Sequence, residues 1–318
     1  MSIGIGAVHC LLPDERVRVV DLSQFAGLED AAPGGTDASG VRSVGVHGDT
    51  DAGALAARAC RELLAASPHE PDVMIHIAAR PGEGDVGTDA GRVQHAAGMT
   101  AAFPFTVAGS GCAASAVAWA LARDLLAADP ARRGVLVTYG SRPADGNRVR
   151  HPVMIVGDGA FAMTLVRGGR PVLLAHRMRA DGRFHDLAGT HARIPGRESS
   201  HESAGGQRAF ELAMSGRTHT AALVDEVLAE AGLTKDDVSA TLMPNTTTGA
   251  YRFYEQALDL PIHPICGEHL ARWGHLGPMD VVLNLDRLLA TGALTTGDHV
   301  LVLGNARVAA WAVTLWEV

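Results

Sequence analysis

The chain has 318 residues, 47% of them apolar, and a formal net charge of −8, enough to bury the core of one large domain or of two fused similar ones. Without a basic cluster it has no face for neutralising phosphates, which excludes nucleic acid as a partner. Its one lysine, Lys235 in "GLTKDD", sits among acids in a turn, so P-loop and Schiff-base chemistry both lack their key residue.

The N-terminal "MSIGIGAVHCLLPDE" has no basic n-region of a signal peptide. Cys10, Cys60, Cys112 and Cys266 lie far apart with no CxxC pair. Neither a disulfide framework nor a structural zinc site is suggested, and a reducing cytoplasm fits. Along the first half, "DAGALAARACRELLAAS" reads as a helix and "PDVMIHIAARP" as a strand. From Ala96 to Ala122 the chain carries no charge, a run longer than the roughly 18 to 20 residues that span a bilayer. Its interior Pro104, Gly109 and Gly111, with Thr106, Ser110 and Ser115, suit instead a buried strand, a tight turn and a buried helix. No membrane partner is therefore expected. "CAASAVAWALARDLLAADPARRGVLVTYGSR" then gives helix, polar turn and buried strand, and "GAFAMTLVRG" a further strand after the Asp158-Gly159 turn.

A boundary falls at Gly168 to Arg170, where "PVLLAHRMRADG" starts another strand. The polar, Gly-rich "RFHDLAGTHARIPGRESSHESAGGQ" reads as an insertion covering the core. Its His185, His191 and His201 match no metal-ligand spacing, so no metal is expected. Beyond it the pattern of the first half returns. "HTAALVDEVLAEAGLTKDDVSATLMPNTT" is again helix, turn and strand, and "TTTGAYRFYEQAL" a helix. "PMDVVLNLDRLLATGALTTGDHVLVLGNAR" echoes the helix, turn and strand around Cys112, and "VAAWAVTLWEV" closes the chain as a strand. Continuous apolar strands mixed with helices predict a layered α/β fold with helices on both sheet faces. The duplication predicts two similar halves, 1–168 and 169–318.

"GSGCAASAVAWALA" places Cys112 at the first turn of a helix, where free backbone N–H groups and the helix dipole favour a thiolate. Gly109 and Gly111 permit a tight path close to a ligand, in the manner of a nucleophile elbow. A buried cysteine acting as a small hydrophobe is the plain alternative. "GSGCAA" also fits the looser dinucleotide fingerprint, with Arg142 after the next strand for a 2'-phosphate, but that reading leaves the repeated second half unexplained.

Over nearly its whole length the chain resembles the β-ketoacyl-acyl-carrier-protein synthase III family. The marks are "GSGCAASAVAWALA", "VGDGAFAMTLV" for the family's Gly-Asp-Gly-Ala turn, and "WGHLGPMDVVLNLDRLLATGALTTGDHVLVLG". The resemblance implies a thiolase fold, two fused α/β halves in an αβαβα arrangement. It also implies acyl-coenzyme A or acyl-carrier-protein thioesters as substrates, no bound cofactor, and a homodimer. A typical condensing member pairs its cysteine with a histidine and an asparagine. Here "MPNTTTGAYRFY" puts Asn245 where the family has histidine, and "WGHLGPMD" puts His275 where it has asparagine. In "LGNARVAAWA", Gly304, Asn305 and Ala306 replace a Gly-Gly-Gly run.

Decarboxylative condensation uses both donors on a thioester enolate, whereas simple acyl transfer needs an acyl-cysteine, an oxyanion hole and one base. His275 can be that base and Asp280, about one turn further on if a helix starts near His275, can fix its tautomer. The expected catalytic set is Cys112, His275 and Asp280 as a triad, with Asn245 as a neutral donor. Plainer roles are helix capping for His275 and Asn245 and a solvated surface position for Asp280. The expected function is a synthase III-like acyltransferase of specialised metabolism that passes an acyl group from Cys112 to a small alcohol or amine acceptor. The alternatives are decarboxylative Claisen condensation and a non-catalytic partner subunit of a condensing heterodimer.

Overall fold

A computed structural model describes residues 2–23, 39–48, 50–67, 69–78, 89–143, 146–150, 154–185, 187 and 202–318. The strands are β1 (Ile3–Leu11), β2 (Arg16–Arg18), β3 (Ser43–Gly45), β4 (Val73–Ala78), β5 (Phe103–Ala108), β6 (Gly134–Ser141) and β7 (Val149–Arg150). They continue as β8 (Met154–Ile155), β9 (Gly159–Arg167), β10 (Val172–Ala180), β11 (Val238–Leu242), β12 (His299–Ala306) and β13 (Ala310–Glu317). The α-helices are α1 (Ala52–Ala65), α2 (Asp89–Ala96), α3 (Ala114–Ala128), α4 (Glu202–Ala231), α5 (Thr248–Leu258), α6 (Pro264–Trp273) and α7 (Met279–Ala290).

Nine strands line up in the order β11-β12-β13-β10-β1-β9-β6-β4-β5. Outward from the centre, β1, β9, β6 and β4 match β10, β13, β12 and β11 in both sheet order and chain order. Each half has antiparallel inner pairs and a parallel outer pair. Where β5 runs parallel beside β4, Ile262 makes a parallel bridge to Thr241 of β11. The halves meet through one register pair, Gly4 with Val172. Helices α3 and α7 each touch strands of both halves, α1 covers β1, β6 and β9, and α4 covers β10 and β13. The result is helix, sheet, helix, sheet, helix.

Period-2 alternation explains this layering. In β4, Val73, Ile75 and Ile77 belong to the large inner core and Met74 to the outer one under α1. In β6, Val135 and Val137 face inward and Leu136 outward. Both faces of these strands are apolar because both are covered. The stretch Gly111–Ala128 is long and apolar enough for a membrane span by length and composition. It packs instead as the α3 core helix and its leading turn, with Ala114, Ala118, Trp119, Ala122 and Leu126 fully buried.

One element departs from expectation. The polar segment read as an insertion through Gln207 is helical from Glu202 onward, so α4 starts well before the apolar periodicity does. Around Gly206 and Gln207 the sequence carries no apolar stripe, and Phe210 is exposed there. His185 lies just after a short 3-10 turn (Gly182–Phe184), whereas His191 and His201 lie outside the described residues.

Trp119 of α3 meets Trp316 of β13 edge to face, with centroids 5.3 Å apart, and both are fully buried. Trp119→Ala is expected to cost about 3–5 kcal/mol in urea unfolding. A loss below about 1.5 kcal/mol would contradict the central place of α3 in the core.

Candidate active site

The turn ahead of α3 takes the backbone through positive φ at Gly109 (84°) and Gly111 (50°), a region open chiefly to glycine. A Cβ on Gly111 would also lie 3.1 Å from Cβ of Ala306. The Gly304-Asn305-Ala306 segment therefore packs directly against the cysteine turn. Cys112 follows in a 3-10 turn (Gly111–Ala113) that runs into α3, and it is half-buried.

His275 stands in the loop between α6 and α7. Its N–H donates to the Ile155 carbonyl (2.8 Å) and its own carbonyl accepts from Gly157 N–H (3.1 Å). Gly274 before it needs φ of 70°, and a Cβ there would lie 2.6 Å from the Ile155 carbonyl oxygen. The Gly-Asp-Gly turn that supplies these contacts is itself anchored. Asp158, fully buried, binds both terminal nitrogens of Arg148 at 2.7 and 2.8 Å and accepts from His47 N–H at 3.0 Å. This Asp158 clamp braces the His275 loop and does not touch Cys112 or His275 itself.

Four residues singled out in the sequence converge. Cys112 Sγ lies 3.0 Å from His275 Nε2, and His275 Nδ1 lies 2.6 Å from Asp280 Oδ2. Asp280 Oδ1 accepts from Leu276 N–H at 2.7 Å, and Oδ2 also accepts from Asn245 N–H at 2.9 Å. Asp280 and Asn245 are fully buried and His275 is 5% exposed. The helix starts at Met279 and not near His275, so Asp280 reaches the histidine across a loop, from the helical turn where the dipole favours a carboxylate. The capping roles fall away as well. Thr247 caps α5 by accepting from Ala250 N–H, and no side chain caps α7.

Three supporting residues had been given no part in the site. Ser115 Oγ donates to the Pro278 carbonyl at 2.7 Å, tying the cysteine helix to the histidine loop. Asn284 Nδ2 donates to Asn245 Oδ1 at 3.0 Å, and Tyr251 OH donates to the Cys266 carbonyl at 3.1 Å. For Asn284 the sequence does hold a signal, a polar residue four after Asp280 on an otherwise apolar helix face. Arg142 is engaged elsewhere, donating to the His47 carbonyl at 3.1 Å and to that of Gly48.

Burial pulls the His275 pKa down, but Cys112 and Asp280 on either side of the ring outweigh it and hold it well above 6.5. With Nδ1–H given to Asp280, Nε2 is the atom that exchanges a proton with the thiol, and the pair can form thiolate and imidazolium. Such an arrangement can attack a carbonyl carbon through sulfur and move a proton to and from the groups that enter and leave.

Residues 228–318 match the family model of 3-oxoacyl-[acyl-carrier-protein] synthase III, C-terminal domain. β-Ketoacyl-[acyl-carrier-protein] synthase III of Methylococcus capsulatus is 25% identical over 269 residues, 82% of this chain and 81% of that protein. Among solved structures, ChlB3, an acyltransferase, superposes with TM-score 0.82 at 24% identity, covering 100% of this chain and 98% of its own. The synthase III of Pseudomonas aeruginosa gives 0.78 at 21%, over 100% and 98%. OleA of Xanthomonas campestris, with bound lauric acid and lauroyl-CoA, gives 0.79 at 15%, over 100% and 99%.

The raised His275 pKa means the folded protein keeps a proton that the unfolded chain releases near pH 6.5. Its stabilisation is complete below that pH and is lost as the pH rises through the folded value. Asp280→Asn is expected to move the NMR titration of His275 Hε1 to lower pH. The stability gap between wild type and variant should then narrow as the pH climbs above about 6.5. An unchanged His275 midpoint would show that Asp280 does not hold the proton. The chain thus has the fold of the solved synthase III structures, and its residues 228–318 match the C-terminal domain of 3-oxoacyl-[acyl-carrier-protein] synthase III.

Proposed function

We propose that the protein is an acyltransferase of specialised metabolism. An acyl group passes from a coenzyme A or carrier-protein thioester to Cys112, and then to a small alcohol or amine. The observation that carries this reading is the unbroken line from Cys112 Sγ through His275 to Asp280, at 3.0 and 2.6 Å. The fold likeness to the acyltransferase ChlB3 supports the same class.

In the first step the Cys112 thiolate bonds to the thioester carbonyl carbon, the carbon–sulfur bond to the donor breaks, and the leaving thiolate takes the proton from His275 Nε2. In the second, His275 Nε2 accepts the proton of the acceptor O–H or N–H as its oxygen or nitrogen bonds to the acyl carbon. The bond to Cys112 Sγ then breaks, and the imidazolium stands again beside a thiolate. Asp280 keeps the ring in the Nδ1–H tautomer throughout. Asn245 serves as a neutral donor to the oxyanion. The donor is a substrate, and no resident cofactor takes part. A homodimer in the cytoplasm is the expected setting. Decarboxylative condensation is the second reading, favoured by the 25% identity to a β-ketoacyl synthase III, with Asn245 and His275 working from exchanged positions.

Intact-protein mass after incubation with acetyl-, malonyl- and octanoyl-coenzyme A, and with the same groups on a carrier protein, is the direct test. One acyl mass is expected on wild type and none on Cys112→Ala. Asn245→Ala should slow labelling about 10²- to 10³-fold, and His275→Ala should slow transfer about 10²- to 10⁴-fold. Wild type that stays unlabelled by every thioester would remove the catalytic reading and favour a non-catalytic partner subunit.

A further inference from the structure

We propose that Asn284 is a positioning residue that locks the Asn245 side chain with its NH2 group turned toward the reacting acyl oxygen. The proposal rests on the acyl-transfer reading and adds to it a residue that touches neither Cys112 nor His275.

The geometry fixes each amide in turn. The Met243 carbonyl can only accept, so the Asn284 atom 3.1 Å from it is the NH2 nitrogen. That nitrogen also lies 3.0 Å from the Asn245 side chain, which must therefore offer its oxygen. Tyr251 OH stands 3.5 Å from the same oxygen, but its one proton goes to the nearer Cys266 carbonyl at 3.1 Å, so the lock rests on Asn284. On its other side, Asn284 Oδ1 lies 2.7 Å from His269 Nδ1, so His269 is the donor there. Asn245 Nδ2 is thus directed away from the network. It is fully buried, and among the described residues it has no hydrogen-bond partner.

A buried donor left unpaired is costly, and an amide flip would only exchange it for an unpaired oxygen. Asn284 opposes the flip, since after it two NH2 groups would face each other. One helix supplies both restraints. Asp280 and Asn284 lie four residues apart on α7, and they hold the Asn245 backbone N–H and side-chain oxygen respectively. The Asp280 oxygen that takes the backbone N–H is the one bonded to His275, so the Asn245 backbone is tied directly to the triad. As the thioester carbonyl carbon bonds to Cys112 Sγ, its oxygen gains negative charge. A fixed donor lowers that barrier, whereas a flipped carbonyl raises it.

Asn284→Asp keeps the acceptor for His269 and removes the donor, which favours the flipped Asn245. Two rates on the full-length protein separate positioning from folding. One is acylation of Cys112 by acetyl-, malonyl- and octanoyl-coenzyme A or the same groups on a carrier protein. The other is alkylation of Cys112 by iodoacetamide, which develops no oxyanion. Acylation by whichever probe labels wild type should fall about 10²-fold, while alkylation and its pH profile stay within about twofold. Asn245→Ala combined with Asn284→Asp should be no slower than Asn245→Ala alone. Asn284→Leu, which unlocks the amide without adding charge, should show a smaller loss confined to acylation.

Acylation at the wild-type rate in both Asn284 variants would overturn the role. So would losses that multiply with Asn245→Ala, or equal falls in both rates for both variants. Wild type that alkylates but accepts no acyl group from any of these thioesters would sink the acyl-transfer reading, and this role with it.

Discussion

A carboxylate taken wholly out of water must be ringed by donors, and Asp280 is ringed by three from two parts of the chain: His275 Nδ1 and Leu276 N–H from one, and Asn245 N–H from the other. These bonds bring the loop before α7 and the segment after β11 to one point. Because Asp280 sits in the first turn of α7, the helix dipole adds to the donors. Ser115, three residues after Cys112, binds the carbonyl of Pro278, three residues after His275. The two central helices thus meet end to end at the site. Their shared burial between the half-sheets sets the sulfur-to-nitrogen distance.

The duplicated fold serves this meeting. Each half contributes one central helix, and the joint between the halves, Gly4 with Val172, is slight beside the packing of α3 and α7 against both. Around the helices the loops are stiffened by close approach, with Gly111 against Ala306 and Gly274 against Ile155. The Gly-Asp-Gly turn, one of the marks of the family resemblance, acts here as a brace. Its Asp158 is spent on Arg148 while the neighbouring backbone holds His275.

Much of this was legible in the sequence because the signals were local. Cys112 stood out through the glycines that its turn requires, His275 and Asn245 through the family resemblance, and Asp280 through its place shortly after His275. Other features had no local signal. The early part of α4 lacks an apolar stripe in sequence and so reads as loop. Helix α6 is short and buries only Ile265, Cys266, Leu270 and Trp273, too few for a clear periodicity between two stronger elements. Asn284 carries the mark of a polar residue four after Asp280, but not its role, because its partners Met243, Asn245 and His269 are 15 to 41 residues away. Only the folded chain brings them together.

The exchange of histidine and asparagine that the resemblance implies would change what the site can do. A histidine backed by a buried carboxylate is suited to taking a proton from an oxygen or nitrogen acceptor. The most direct test follows the carboxyl carbon of a malonyl thioester labelled at that position, supplied to the protein with an acyl donor and a pool of alcohols and amines. Acyl transfer to a heteroatom predicts an ester or amide and no labelled carbon dioxide. Release of labelled carbon dioxide with a β-ketoacyl product, dependent on Cys112, would contradict it and establish condensation from exchanged positions.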